Sequence, residues 1–361
     1  MAPTLTDLIA QLEQARRPAD IFGPLGDGGA AALRRSYRRL AASLHPDANP
    51  GQEVAAGAAF RELQGWYRAA QQELRAGTYG AQPLFTLESA RQRYECFAAA
   101  HSGERSDLYP SAGSEGPLLL KVARAPQTNA LLEAEVQALS QIDRAMAGQP
   151  LRAHFPTLVE RFLAADPSGR RRQVNVLLRE QGTLSLAEVL RAAPGGLHPA
   201  DAAWIFNRIL AALGVTHSLG LVHGAVLPQH VLIRPSDHNG VLIDWTASRP
   251  IGARPSVIAS AWAGLYPPEA VEGRPLGPAS DLFMAARCLA LLLGGSGPAP
   301  EPPASTPAPL RRLIATCLIP APHRRADDAW QLLDDFRTAL GRLYGPPTFR
   351  PFPIQAIGEK A

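Results

Sequence analysis

Three runs of apolar residues at helical spacing fill the first 76 positions, and the short turn HPDANPG, residues 45–51, lies between the second and the third. Leu5, Leu8, Ile9 and Leu12 mark the first helix, Leu33, Tyr37, Leu40 and Leu44 the second, and Phe60, Leu63, Tyr67 and Leu74 the third. Proline breaks a helix interior, and seven residues carry the chain only a short distance. The second and third helices must therefore fold back as a hairpin, with His45, Pro46 and Asp47 at its tip. The glycine-rich GPLGDGG, residues 23–29, ends the first run and begins the second. Arg34, Arg35, Arg38 and Arg39 occupy the face of the second helix away from Tyr37 and Leu40, which taken alone describes a solvated charged face.

The order of these features is more specific than any one of them. A basic helix with Tyr-Arg-Arg-Leu, then His-Pro-Asp, then a helix with Ala-Phe-Arg-Glu-Leu and Tyr67 one turn later resembles a J-domain, the module by which DnaJ-type co-chaperones engage DnaK-type heat-shock ATPases. The likeness covers residues 16–76, within a region 1–76 assigned to that module. It implies that His45, Pro46 and Asp47 trigger ATP hydrolysis in the partner, while Arg34, Arg35, Arg38 and Arg39 dock on an acidic surface of it. Ile21, Phe22 and Leu25 stand in for the Tyr-x-x-Leu of the family's first helix. The glycine-rich and zinc-binding regions of a full DnaJ chaperone do not follow, so the resemblance implies no zinc and no DnaJ-like client site. Residues 77–84, within AGTYGAQPL, read as a short linker.

Composition narrows the function classes. With 361 residues the chain has room for two cores. A net charge of +4 with arginines spread through amphipathic segments gives no nucleic-acid footprint. Of 36 Lys and Arg, all but Lys121 and Lys360 are Arg, so Lys121 reads either as a position that needs an ammonium or as a chance survivor. Cys96, Cys288 and Cys317 are far apart, with no Cys-x-x-Cys pair, and read as buried thiols. The first residues lack a leader's apolar run, and LALLLGG near residue 288 is too short to span a bilayer, so a cytoplasmic protein without membrane contact is expected.

From residue 85 to 346 the order is strand-rich, then helix, then strands, then mostly helices, which gives an α+β chain overall. LLLKVAR holds Lys121 in an apolar run, and LLEAEVQALSQI carries Glu135 on a helix. Glu133, two positions earlier, points about 200° away. LVHGAVLPQHVLI, residues 221–233, leads into a paired strand that ends at Asp244; YPPEA holds Glu269, SDLFMAARCLALLL holds Asp281, and a last helical region holds Arg325. In this order the segments resemble those of a protein kinase, with a β-rich small lobe and an α-rich large lobe. The resemblance implies that Lys121 meets ATP phosphates and Glu135 pairs with it, that Asp244 carries magnesium, and that Glu269 and Arg325 form a buried structural pair. It also implies that an adenine stacks on the strand from Val174 to Leu178, and that His223 lies beneath Trp245.

The likeness fails where the chemistry sits. Ala225 replaces the base Asp, Leu227 the loop Lys, His230 the second metal-binding Asn, and Gly224 the phosphate-sensing Arg. SGERSDLYPS offers Gly103 alone where the family has three phosphate-gripping glycines. Loss of a general base alone costs about 10² to 10⁴ in rate, so the region reads as a pseudokinase. His230 as a substitute base is the weaker reading. The Pro-rich residues 294–309 read as an extended, mobile loop, and residues 347–361 as a tail. The expectation is a J-domain co-chaperone with weak ATP and magnesium binding, whose kinase-like part holds an unknown client protein or a ligand. An unorthodox protein kinase or nucleotidyl transferase, and a pure interaction scaffold, are the alternatives.

Overall fold

The computed structural model describes residues 4–113 and 116–354; of the tail expected at 347–361, residues 355–361 lie outside the described residues. The protein is mixed α and β, with a helical region at the N-terminus and a β-sheet region after it. It divides into two compact units, Met1–Pro126 with Val159–Arg179, and Gln127–Leu158 with Glu180–Ala361. This division does not coincide with the boundaries at 76 and 84 read from the sequence.

In the first unit, α1 (Leu5–Gln14), α2 (Pro18–Phe22), α3 (Gly29–Ser43) and α4 (Glu53–Ala76) surround a core of Leu8, Leu12, Ile21, Phe22, Leu33, Leu40, Leu44 and Leu63. A capping box between Thr4 and Asp7 starts α1, and Pro18 at the first helical position starts α2. The short α2 occupies the place of the departures at Ile21 and Phe22, and both side chains are buried. Tyr37 stacks on Tyr67 with centroids 4.1 Å apart, locking α3 to α4.

Strands β1 (Phe85–Glu88) and β2 (Arg93–Cys96) form a hairpin, and β3 (His101–Ser102), β4 (Ser106–Gly113), β5 (Gly116–Ala123), β6 (Leu158–Ala165) and β7 (Arg171–Leu178) build a sheet of order β3-β4-β5-β7-β6. Tyr94, Cys96, Leu118, Leu120, Val174 and Val176 form its core. Residues 77–84 are not a free spacer. Thr78 is buried, its amide bonds to Glu73 O at 2.8 Å, the Tyr79 hydroxyl donates to Gly23 O at 2.8 Å, and Arg17 donates to Ala81 O at 2.6 Å. These partners lie up to 64 residues away, so the Gly and Pro content of the stretch carries no sign of them.

The second unit begins with α5 (Asn129–Met146) and continues through β8 (Leu184–Ser185), α6 (Leu186–Ala192) and α7 (Pro199–Ser218). Then come β9 (Leu221–Val222), β10 (Val231–Arg234), β11 (Asn239–Leu242) and β12 (Arg249–Pro250), followed by α8 (Pro268–Val271), α9 (Pro278–Leu292), α10 (Ala308–Cys317) and α11 (Ala329–Tyr344). The strands make two small sheets, β11-β10-β8 and β12-β9. Helices α7 and α9 are buried almost throughout, and Phe206 meets Phe336 of α11 edge-on at 4.9 Å. The Pro-rich stretch 294–309 is also pinned rather than loose. Arg287 of α9 is buried, lies over the Phe283 ring, and donates to Ala299 O at 3.1 Å and Pro300 O at 2.7 Å. Pro298 O lies so close to Gly264 that a Cβ there would clash with it. Proline supplies no amide for a strand or helix, so side-chain donors from elsewhere hold this segment.

Candidate functional site

The hairpin tip is built by backbone capping. After α3, His45 turns to φ −66°, ψ 135°, and Pro46–Ala48 makes one 3₁₀ turn. The His45 Nδ1 accepts from Asp47 N at 3.2 Å, which leaves Nε2 as the donor nitrogen of the neutral ring. With that lone pair used, the 3.5 Å approach of Nδ1 to Asp47 Oδ2 is not a second hydrogen bond, and the Asp47 carboxylate is 88% exposed. Asn49 Nδ2 donates to both Ser43 O and His45 O at 2.9 Å and bridges the end of α3 to the turn. Phe60 of α4 supports the His45 ring edge-on at 6.0 Å. Asn49 and Phe60 went unread as site residues, although an Asn two positions after Asp47 is a turn signal. Glu53 accepts from Gly51 N at 2.8 Å, and that backbone bond holds its carboxyl below the usual range. Arg34, Arg35, Arg38 and Arg39 are all exposed on α3. The tip thus presents a carboxylate and an imidazole N–H at the end of a cationic helix.

The residues expected to meet a nucleotide fall in both units. In the first, Lys121 is buried on β5, opposite Leu108 of β4 and Asn175 of β7. Gln173 donates to Asn175 at 3.0 Å, so this face of the sheet carries a buried polar row of Lys121, Asn175 and Gln173. The two amides were not read from the sequence, because they interrupt an otherwise apolar run in QVNVLL. Gly103 sits in the tight β3–β4 turn, its amide bonded to Ser106 O at 3.0 Å and its carbonyl taken by Arg124 at 2.9 Å.

In the second unit Glu135 is fully buried on α5, and its Oε1 accepts from Trp245 N at 3.2 Å. Trp245 donates from its indole to Leu242 O at 2.8 Å and meets His223 edge-on at 4.7 Å. The loop after β9 hangs from Asp281 of α9, which accepts from His223 N at 2.8 Å and Gly224 N at 2.9 Å, with His217 Nε2 at 3.0 Å. Gly224 has φ +76°, and a Cβ there would lie 2.7 Å from Ala247 O, so any side chain at this position would be strained and would force the backbone to shift. His223 has Nδ1 accepting from Ala225 N at 3.3 Å and Nε2 at 3.1 Å from Ile243 O; burial lowers its pKa to about 4, so the ring is neutral.

Ala225 is buried and offers no side-chain acceptor. His230 lies with Nδ1 2.9 Å from Ala225 O and Nε2 3.1 Å from Asp244 Oδ2. Both ring nitrogens thus face oxygen atoms of the protein itself. Asp244 has φ +60°, and its Oδ1 accepts from Thr246 Oγ1 at 2.6 Å. With Oδ2 facing His230 and Oδ1 taken by Thr246, the carboxylate is engaged, and an imidazole stands where a second oxygen ligand would be needed. Magnesium wants near-octahedral oxygen, so these side chains as arranged do not fit it. Among the described residues no cluster of three His, Cys, Asp or Glu is placed to hold a metal.

Glu269 and Arg325 meet in the interior. Arg325 Nη1 lies 2.7 Å from Oε1 and Nη2 3.3 Å from Oε2, and Ser280 adds a bond of 2.8 Å. Burial pushes the Glu269 carboxyl up, but the bonds from Arg325, its own amide and Ser280 hold it below the usual range. The three Cys are free and buried, and burial pushes each thiol to about 12, far from a reactive thiolate. Among the described residues no helix is long and apolar enough to cross a membrane. No protein-family model matches the chain.

Proposed function

We propose that this protein is a J-domain-type co-chaperone that stimulates a DnaK-type ATPase in the cytoplasm. Its kinase-like part, residues 85–346, serves as a client- or ligand-binding module rather than as a phosphotransferase. The observation that carries the reading is the tip: Asp47 points to solvent, the His45 ring meets Phe60 edge-on while Asn49 holds the His45 carbonyl, and four exposed arginines line the adjoining helix. Long-range attraction orients such a helix on an acidic partner, and the rigid turn then delivers one carboxylate and one N–H. For the kinase-like part, binding is favoured over phosphoryl or nucleotidyl transfer, because Ala225 cannot take a proton and His230 and Asp244 face each other.

The arginine face supplies the test. Arg34→Glu with Arg38→Glu should weaken association with a DnaK-type ATPase at least ten-fold at low salt and flatten its salt dependence, with little change in melting temperature, because exposed charges contribute little to stability. Unchanged affinity at low salt would mean that the face is only solvated.

A further inference from the structure

After α11 the chain runs without helix or strand through residues 345–354, yet it is docked. Phe349 stacks on His238 with centroids 4.4 Å apart, and His238 stacks in turn on Trp204 of α7 at 4.3 Å with the rings 2° from parallel. Phe352 is buried and meets Trp204 edge-on at 5.5 Å. Between them Arg350 Nε lies 3.4 Å from Asp201 Oδ1, and Asp201 is only 5% exposed. An aromatic, a cation and a second aromatic thus each meet a matching group.

The receiving surface is held independently of the segment that fills it. His238 adopts φ +53° at the β10–β11 turn, and Arg208 of α7 fixes that turn by donating to His238 O at 2.8 Å. Among the described residues, buried His238 Nε2 and Trp204 Nε1 have no hydrogen-bond partner, so the present occupant leaves two polar atoms of the surface unsatisfied. The occupant itself is loosely committed: Phe349 is 63% exposed and the Arg350 side chain 50% exposed. Only Phe352 is deeply seated. A short segment without backbone pairing to a sheet, held by side-chain contacts and one hydrogen bond between the Arg350 backbone and His238, is the kind that a competing segment can displace.

We propose that Asp201, Trp204 and His238 form a docking site for an aromatic-Arg-Pro-aromatic segment of a partner protein, which residues 349–352 close in cis. This goes beyond the ATPase-stimulating reading and does not depend on it. The partner segment is recognised by stacking on His238, an edge contact with Trp204 and ion pairing with Asp201, and proline keeps it extended at low entropic cost.

The test uses the full chain and a fluorescein-labelled peptide of residues 346–354, followed by anisotropy. The variant Phe349→Ala with Phe352→Ala, which undocks the cis segment, should bind the peptide at least ten-fold more tightly than the unaltered chain. Adding Trp204→Ala should return binding to the unaltered level, and a peptide with Arg350→Glu should bind at least ten-fold more weakly. Should loss of Phe352 disturb folding, Arg350→Glu in the chain serves instead, since that exposed change repels only the cis segment from Asp201 and should likewise open the site. Equal binding by the unaltered and opened chains, no binding by either opened chain, or binding insensitive to Trp204→Ala would overturn the proposal.

Discussion

Replacing Arg325 with Met should cost about 4 kcal/mol, within the range of about 3–5 kcal/mol for breaking a buried ion pair from one side. The magnitude follows from what remains. Glu269 keeps only the Ser280 hydroxyl and its own amide, in a site where both side chains are at most 1% exposed. The carbonyls of Ile319, Ala279 and Pro320 each lose a guanidinium donor as well. Set against a total stability of about 5–15 kcal/mol, this is a large fraction, and it should appear as a lowered guanidinium midpoint with unchanged slope. The pH dependence has a definite sign. In the native protein the Glu269 carboxyl is held below its unfolded value, so its contribution is present above that value and lost as pH falls. Without Arg325 burial dominates and raises the carboxyl, so the deficit of Arg325→Met should be largest near pH 7.5 and shrink toward pH 4.5. Adding Glu269→Gln should recover at least half of the loss. A deficit below about 1 kcal/mol at pH 7.5, or one that grows on acidification, would refute the reasoning.

His223, lowered to about 4 by burial, should make the protein lose stability as pH falls from about 6.5 to about 4, where the unfolded chain binds the proton and the folded one does not. Denaturant titrations should show a slope in that window worth about 3 kcal/mol that His223→Gln removes. At the second-unit loop, His230→Asn should replace the ring that faces Asp244 Oδ2 with an amide oxygen, so that magnesium raises the melting temperature of the variant in the presence of ATP but not that of the unaltered protein.

Periodicity made the helical hairpin legible, because α1, α3 and α4 each bury one stripe at 3.6-residue spacing. The tip was legible for the same reason, as Pro46 and Pro50 interrupt that spacing. Helix α2, five residues long, is too short to show a period. Residues 77–84 and 294–309 misled in one way: Gly and Pro report only local conformation, whereas Arg17, Gly23 and Arg287 fix these stretches from elsewhere. That residue 225 of the loop carries no acceptor is plain from the sequence, but the facing of His230 and Asp244 is a side-chain geometry that spacing cannot supply. The Phe-Arg-Pro-Phe segment read as a tail because its receiving groups, Asp201, Trp204 and His238, lie more than 100 residues before it.

The central claim is that the hairpin tip acts on an ATPase, and single-turnover ATP hydrolysis by a DnaK-type protein measures it most directly. The unaltered chain should accelerate hydrolysis, and His45→Gln should abolish the acceleration. That substitution removes one exposed turn bond, worth about 1 kcal/mol, so helical content and denaturant midpoint should hardly move. Equal acceleration by His45→Gln, or none by the unaltered chain, would contradict the account.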